Sequence, residues 1–445
     1  MPISTLDNFG IIKRTRSYSD TPGIASPSWL SSSVVYEINP RAFSNEATFT
    51  AITKRLPELA DLGVNILWLM PIHTIGTKKR KGPLGSPYAV RDHMRIHPDL
   101  GRKEHFKTLV AEAHQRGMRI IIDLVSNHGA QDHSELQDHP DWFQKDESGE
   151  FTRQIPGWSD VIDFNYENPK MVQYMKDVMI YWIKEMGVDG FRCDVAGLVP
   201  ESFWSDIHNQ LTTINPEFFM IAEWEDPELH LQSFNVTYDW SLYHIMSKIY
   251  TQEADAQSAI EHICNSQKDY PANALRFRFL ENHDHARAVY KFGVHSFRPF
   301  AALVFTSPGM PLINNGQEVG ETKYISLFDQ SPINWKIRGA NSVKSFYKSL
   351  IHLRKQYPVF TNGAIDALPH NNSRQIAAFY RQSENHFACI VLNLSDTPAN
   401  VELTIPHESN QWISYNVTSM KDTELDIKPS SLSLEPFHGQ IFIAR

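Results

Sequence analysis

Short runs of apolar residues alternate with segments in which apolar positions recur every three to four residues, from about residue 34 to about residue 357. The runs 34–38, 64–70, 119–125, 190–196, 218–224 and 276–280 are nearly continuous in hydrophobic residues. Parallel strands buried on both faces read this way, whereas half-wet strands alternate. Between the runs lie amphipathic helices. In 104–116 the residues Phe106, Leu109, Val110 and Ala113 share one helical face, and Gly117 is placed to end it. A second helix should start at an Asn168 cap with Pro169 at its first position, burying Val172, Met175, Met179, Trp182, Ile183 and Met186. This stripe reads as core.

Repeated strand-then-helix units imply right-handed crossovers and a parallel sheet, either open or closed, the closed form being a (β/α)₈ barrel. The span exceeds the ~250 residues of a minimal barrel, so an insertion is required. The irregular stretch 128–165, rich in Asp, His, Gly and Pro, is placed to supply it. After Tyr357 the pattern changes to short alternating strands separated by Asn, Ser, Pro and Gly. The expected organisation is a barrel from 1–127 and 166–360, an insertion at 128–165, and an antiparallel β-sandwich at 361–445.

Composition narrows the function without setting it. At 41% hydrophobic and 21% charged, the 445-residue chain is ordinary globular protein. The net charge of −9 argues against a nucleic-acid partner, and the basic run 78–81 reads as a solvated loop. Cys193, Cys264 and Cys389 are odd in number and far apart, which fits a reducing compartment better than a disulfide framework. Residues 1–20 lack the apolar core of a leader peptide, and no apolar run is long enough to cross a bilayer. A cytoplasmic protein with no membrane partner is expected. The oligomeric state is not encoded legibly.

Barrel enzymes place their chemistry at the C-terminal ends of the strands. The third strand here ends in Asp123, Asn127 and His128, the fourth carries Arg192 and Asp194, the fifth ends in Glu223, and the seventh leads to His283 and Asp284. Arg192 and Asp194 are two apart and point to one side, with Cys193 turned away as packing. Asp194 beside a guanidinium should stay ionised and suit a nucleophile. Glu223, closing an apolar strand beside Trp224, should have a raised pKa and suit a proton donor. Three acids and two imidazoles around one pocket fit glycoside cleavage, whose oxocarbenium-like transition state needs an attacking carboxylate, an acid for the leaving oxygen and further negative charge. Each residue alone has a bland reading as a solvated or capping group, and His283 with His285 lacks the partner spacing of a metal site.

Taken together the residues resemble the α-amylase family, glycoside hydrolase family 13. The segments DLVSNH (123–128), GFRCDVAG (190–197), AEW (222–224) and FLENHD (279–284) are similar to its four conserved regions in order and spacing. Further similarity lies at 34–43, 86–93, 163–165 and 309–318. The resemblance implies Asp194 as nucleophile, Glu223 as acid/base and Asp284 as the third acid. It implies Arg192 holding Asp194, His128 and His283 bonding the sugar, Tyr88 as its stacking platform, and Asp123 in support. The insertion would be a short domain B, and no cofactor is implied for the chemistry. Asn127 and Asp163 match positions that hold a structural calcium in many members, although a hydrogen-bonded Asn–Asp pair would serve equally to tie the loop down.

Two departures stand out. Gly197 and Leu198 occupy positions where many amylases carry a Lys-His pair for the leaving sugar, and Ala89 stands where an Asp often follows the tyrosine. The expected activity is therefore retaining hydrolysis of α-glucosidic bonds, mainly α-1,4, in gluco-oligosaccharides or α-glucans. Transfer to a sugar acceptor or disaccharide isomerisation is the alternative on the same scaffold. A non-catalytic sugar-binding module would be expected to have lost an acid, and all three are present. Among rim aromatics, Trp142, Phe143, Trp158, Trp204 and Trp224 are candidates for sugar contact, with Trp158 foremost.

Overall fold

A computed structural model describes residues 17–445; part of the stretch read for a leader peptide lies outside them. Eight parallel strands close into a barrel: β1 (Val35–Ile38), β2 (Ile66–Leu69), β3 (Arg119–Leu124), β4 (Gly190–Cys193), β5 (Phe219–Ala222), β6 (Val236–Tyr238), β7 (Leu275–Arg278) and β8 (Met310–Asn314). β1 closes the circle, pairing in parallel with both β2 and β8. Six of these strands coincide with the apolar runs. The sixth and eighth escape that reading, because β6 is only three residues long and β8 carries Pro311.

The helices form as the sequence dictates. Lys103–Gln115 buries Phe106, Leu109, Val110 and Ala113, and left-handed Gly117 lies just beyond it. Pro169–Lys184 begins at Asn168, whose side chain accepts from the amides of Lys170 and Met171. Among the described residues no helix is long and apolar enough to cross a membrane.

After β3 the chain leaves the barrel through a small antiparallel pair, His128–Ala130 with Val161–Asp163, which frames the insertion. Its base is tied down by a relay of imidazoles. His133 bonds His93 (3.2 Å), and His93 bonds the carbonyl of Val125 at the end of β3 (2.8 Å). Tyr166 adds a bond to the carbonyl of Ser126 (2.8 Å).

The C-terminal part holds a six-stranded antiparallel sheet and a two-stranded one, Ala399–Glu402 with Ser431–Leu434. One face of the larger sheet, including Phe379, Ile390 and Ile441, packs into the barrel's core, and the other, including Val391 and Phe442, meets Val401 and Leu434 in a second core. Two buried arginines staple sheet to barrel without any acidic partner. Arg354 donates to the carbonyls of Ser31, Phe305, Ser307, Gly309 and Phe360, and Arg381 to those of Thr306, Phe360 and Gly363.

Candidate active site

Strand register brings the polar residues together. Asp123 and Arg192 are paired neighbours on β3 and β4, and Glu37 pairs with Trp68 across β1 and β2. Arg192 is fully buried and is the hub. Its Nη1 lies 2.9 and 3.2 Å from the two oxygens of Asp123 and 3.0 Å from Asp194 Oδ1, its Nη2 2.6 Å from Glu223 Oε1, and its Nε donates to Tyr238 (3.2 Å). One guanidinium thus holds the carboxylates of Asp194 and Glu223 side by side.

The turn after β4 completes this arrangement. Val195 sits at φ 38° and ψ 49°, a left-handed conformation that costs a β-branched residue about 1–2 kcal/mol. In that conformation its amide donates to Glu223 Oε2 at 2.8 Å. Both oxygens of Glu223 are therefore fixed, one by a cation and one by a strained peptide.

On the opposite side His283 is locked in place. Its Nδ1 contacts Glu37 (2.5 Å), its Nε2 meets the Tyr88 hydroxyl (2.8 Å) and Asp284 (3.2 Å), and Tyr88 stacks on its ring at 5.6 Å. The Tyr88 hydroxyl also donates to Asp123 (3.1 Å). His128 is buried beside Trp158, with ring centroids 5.1 Å apart. The sequence-derived set Asp123, Asp194, Glu223, Asp284, Tyr88, His128, Arg192 and His283 is thereby gathered at one end of the barrel. Glu37, Trp68 and Tyr238 belong with it and were not singled out from sequence. For Glu37 the signal was available: a lone acid inside the apolar run VVYEI.

Carboxyl groups outnumber cations here, so protons must be shared. Burial pushes Glu223 up to about 7 against the pull of Arg192, and Asp194's charge pushes the same way as burial. Asp194 is also raised by burial, contrary to the expectation from its guanidinium alone. Arg192, by its charge and its hydrogen bond, opposes that rise. Glu223, raised to about 7, can hold a proton near neutral pH. Burial likewise lifts Asp284 to about 6 and Glu37 to about 8. Cys193 faces away, buried against Met220, with its thiol pushed up by burial.

Not every rim aromatic faces the pocket. Trp204 is fully buried and bonds the Ala196 carbonyl, Trp142 packs on Tyr174 and His139, and Phe143 packs on Phe164. Trp158 is half-buried at the site. Trp224 lies flat on Gly197: a Cβ there would fall 2.0 Å from the indole Cε2. The absent Lys-His pair is thus matched by an indole occupying the space above a bare backbone.

Asn127 and Asp163 do not form the pair considered above. Asn127 meets His128 Nδ1 (3.3 Å), and Asp163 accepts from the Thr152 hydroxyl (3.0 Å). The nearby Asp160 is neutralised by Lys81 (2.9 Å). The side chains of Asn127 and Asp163 are thus engaged within the loop rather than with one another. Among the described residues one trio of metal-capable groups converges, Glu225, Asp239 and His262. Arg276 and Arg278 already supply its positive charge, at 2.6 Å from Glu225 and 2.8 Å from Asp239.

A closed barrel carrying acids directly after β4 and β5 and in the loop after β7, around one arginine, defines a glycosidase-like class of fold and site. The family model for the catalytic domain of alpha amylase matches residues 38–153 and 138–336, and the chain belongs to the alpha-amylase family. It is 33% identical to a noncanonic maltogenic alpha-amylase, AmyB, from Thermotoga neapolitana, whose crystal structure superimposes with a TM-score of 0.86 over 93% of this chain and 99% of that one. It is 28% identical to the alpha-amylase MalA of Haloarcula japonica over 87% of this chain, and it spans 59% of that protein's length. It is 26% identical to an intracellular maltogenic amylase of Bacillus subtilis over 85% of this chain and 71% of that protein.

Proposed function

We propose that the protein is a retaining hydrolase of α-glucosidic bonds, mainly α-1,4, in gluco-oligosaccharides or α-glucans. The observation that carries this reading is the single guanidinium of Arg192 gripping both Asp194 (3.0 Å) and Glu223 (2.6 Å). A sugar whose anomeric carbon enters between them would be attacked by an Asp194 oxygen. Glu223 would pass its proton to the leaving oxygen, giving a covalent glycosyl-enzyme. Glu223, now ionised, would take a proton from the incoming water as that water breaks the ester. Asp284, Tyr88, His128 and His283 would bind the ring undergoing cleavage, with Asp123 holding Arg192 and Tyr88.

The relatives named as maltogenic amylases support the substrate class, and the intracellular one, with three unpaired cysteines here, supports a reducing compartment. Calcium at Asn127 and Asp163 is not part of this reading. Proton NMR of the first-formed product from maltotriose tests the reaction: α-configured sugar is expected, and β-configured sugar would exclude retention. Transfer to an acceptor sugar stays the second reading, favoured by the acceptor side built from Gly197, Leu198 and Trp224. Products longer than maltotriose would identify it.

A further inference from the structure

Four large apolar side chains are conspicuously exposed among the described residues: Tyr290, Val294, Tyr324 and Ile427. Tyr324 differs from the others in its place. It lies on the segment that follows β8, and two anchors stretch this segment along the mouth of the site. At one end Arg287, three residues beyond Asp284, donates to the carbonyls of Asn315 (2.9 Å) and Glu321 (3.4 Å). The Glu321 carboxylate then turns the chain, accepting from the amides of Thr322, Lys323 and Asn334, each at 2.9 Å. At the other end Arg41 donates to the carbonyls of both Leu327 (3.1 Å) and Gly85 (2.7 Å), and the Leu84 amide donates to the Phe328 carbonyl (3.0 Å).

Tyr88 lies three residues past Gly85, so the strap runs from the Asp284 side of the pocket to the Tyr88 side. Tyr324 is 55% exposed on it. Partial burial first, and the charge of Asp284 second, hold its phenol above the usual value. Its place at the mouth follows from the segment's start at the C-terminal end of β8 and from its two anchors.

Direction follows from the chemistry. Glu223 protonates the leaving oxygen, so the departing sugar lies over the β4 and β5 loops, beside Gly197 and Trp224. The retained ring lies toward Asp284 and Tyr88. Any unit attached to its non-reducing end continues toward the strap. An exposed, strap-mounted aromatic ring there presents the flat apolar face that glucose C–H groups pack against.

We infer that Tyr324 is a sugar-stacking residue for the glucose unit on the non-reducing side of the cleaved ring. The strap that carries it sets specificity for substrates with at least two such donor units. This rests on the glycosidase reading of the site.

p-Nitrophenyl α-glucoside and p-nitrophenyl α-maltoside share a leaving group and differ by that one donor unit. With Tyr324→Ala, kcat/KM for the maltoside should fall about tenfold and that for the glucoside should stay within about twofold, while Tyr324→Phe should match wild type on both. An unchanged maltoside value, equal losses on both substrates, or a Phe variant as poor as Ala would each overturn the inference. No nitrophenol from wild type on either substrate would instead strike the glycosidase reading. Calorimetric titration of maltotriose into Glu223→Gln and Glu223→Gln/Tyr324→Ala decides the stacking without turnover. The Kd should rise about tenfold, and equal values would overturn it.

Discussion

Replacing Gly197 by Ala tests how the acceptor side is built. Gly197 lies in a short helical turn with no left-handed backbone requirement, so Ala would ordinarily stabilise it by about 0.5–1 kcal/mol. Here the added methyl would sit 2.0, 2.3 and 2.3 Å from three atoms of the Trp224 indole. Ordinary contact begins near 3.4 Å, so the ring must retreat by about 1.4 Å (3.4 − 2.0). Trp224 is 7% exposed and has little free space to retreat into. Overpacking of this kind costs about 1–3 kcal/mol, which reverses the sign expected for the turn alone.

Trp224 also follows Glu223 directly, and Glu223 is held by Arg192 at 2.6 Å and by the Val195 amide at 2.8 Å. A shift near 1 Å at a reacting group costs on the order of 100-fold in rate. Gly197→Ala should therefore lower Tm by about 1–3 °C and kcat by about ten- to a hundredfold. Gly197→Ala/Trp224→Leu should recover much of the loss in Tm relative to Trp224→Leu alone. Thermal melts and maltotriose turnover of the four proteins measure both. A Gly197→Ala enzyme as stable and as fast as wild type would refute the packing argument.

Glu223 must be protonated to act and its pKa is pushed up to about 7, so kcat/KM should fall above about pH 7. Glu223→Gln should lower turnover of unactivated oligosaccharides at least a hundredfold at every pH, as pH–rate profiles would show. Glu37 is raised to about 8 from 4.5, so the folded state keeps a proton that the unfolded chain releases, and stability declines as pH rises from about 4.5 through 8. Glu37→Gln should accordingly gain Tm relative to wild type across that interval. His93 has the opposite sense: burial lowers it to about 4, the unfolded chain binds more protons between 6.5 and 4, and stability should drop as pH falls through that window. Its charge would be set against His73, His128 and His133 on one side and Asp92 on the other, and urea melts at pH 7 and 4.5 would show the difference. Chelation with EDTA should leave Tm within about one degree, since Asn127 and Asp163 already bond within the loop and Lys81 neutralises Asp160.

Much of this site was legible because barrel strands deliver side chains by a simple rule: alternate residues at the C-terminal ends face one pocket. Asp123, Arg192, Asp194, Glu223 and Asp284 could be placed from that rule and the apolar runs around them. What escaped depends on three-dimensional neighbours. Tyr238 stands on a strand too short to show a pattern. The ionisation of Asp194 could not be judged from Arg192 alone, because the same guanidinium is divided among Asp123, Asp194 and Glu223. The indole of Trp224 over Gly197 is a contact between residues 27 positions apart in separate loops. Its trace in the sequence was only the absence of a larger side chain.

The two arginines that donate solely to peptide oxygens have a consequence for how the molecule comes apart. Arg381 projects from the terminal sheet into carbonyls at the ends of a barrel helix and of the connecting segment, and Arg354 fills the same nest from the other side. Pulling the sheet away would strand a charged fork and a set of bare backbone oxygens together, with no carboxylate to soften the separation. Melting should thus be a single concerted event for barrel and sheet. A chain truncated after residue 360 would forfeit the barrel's floor along with its tail.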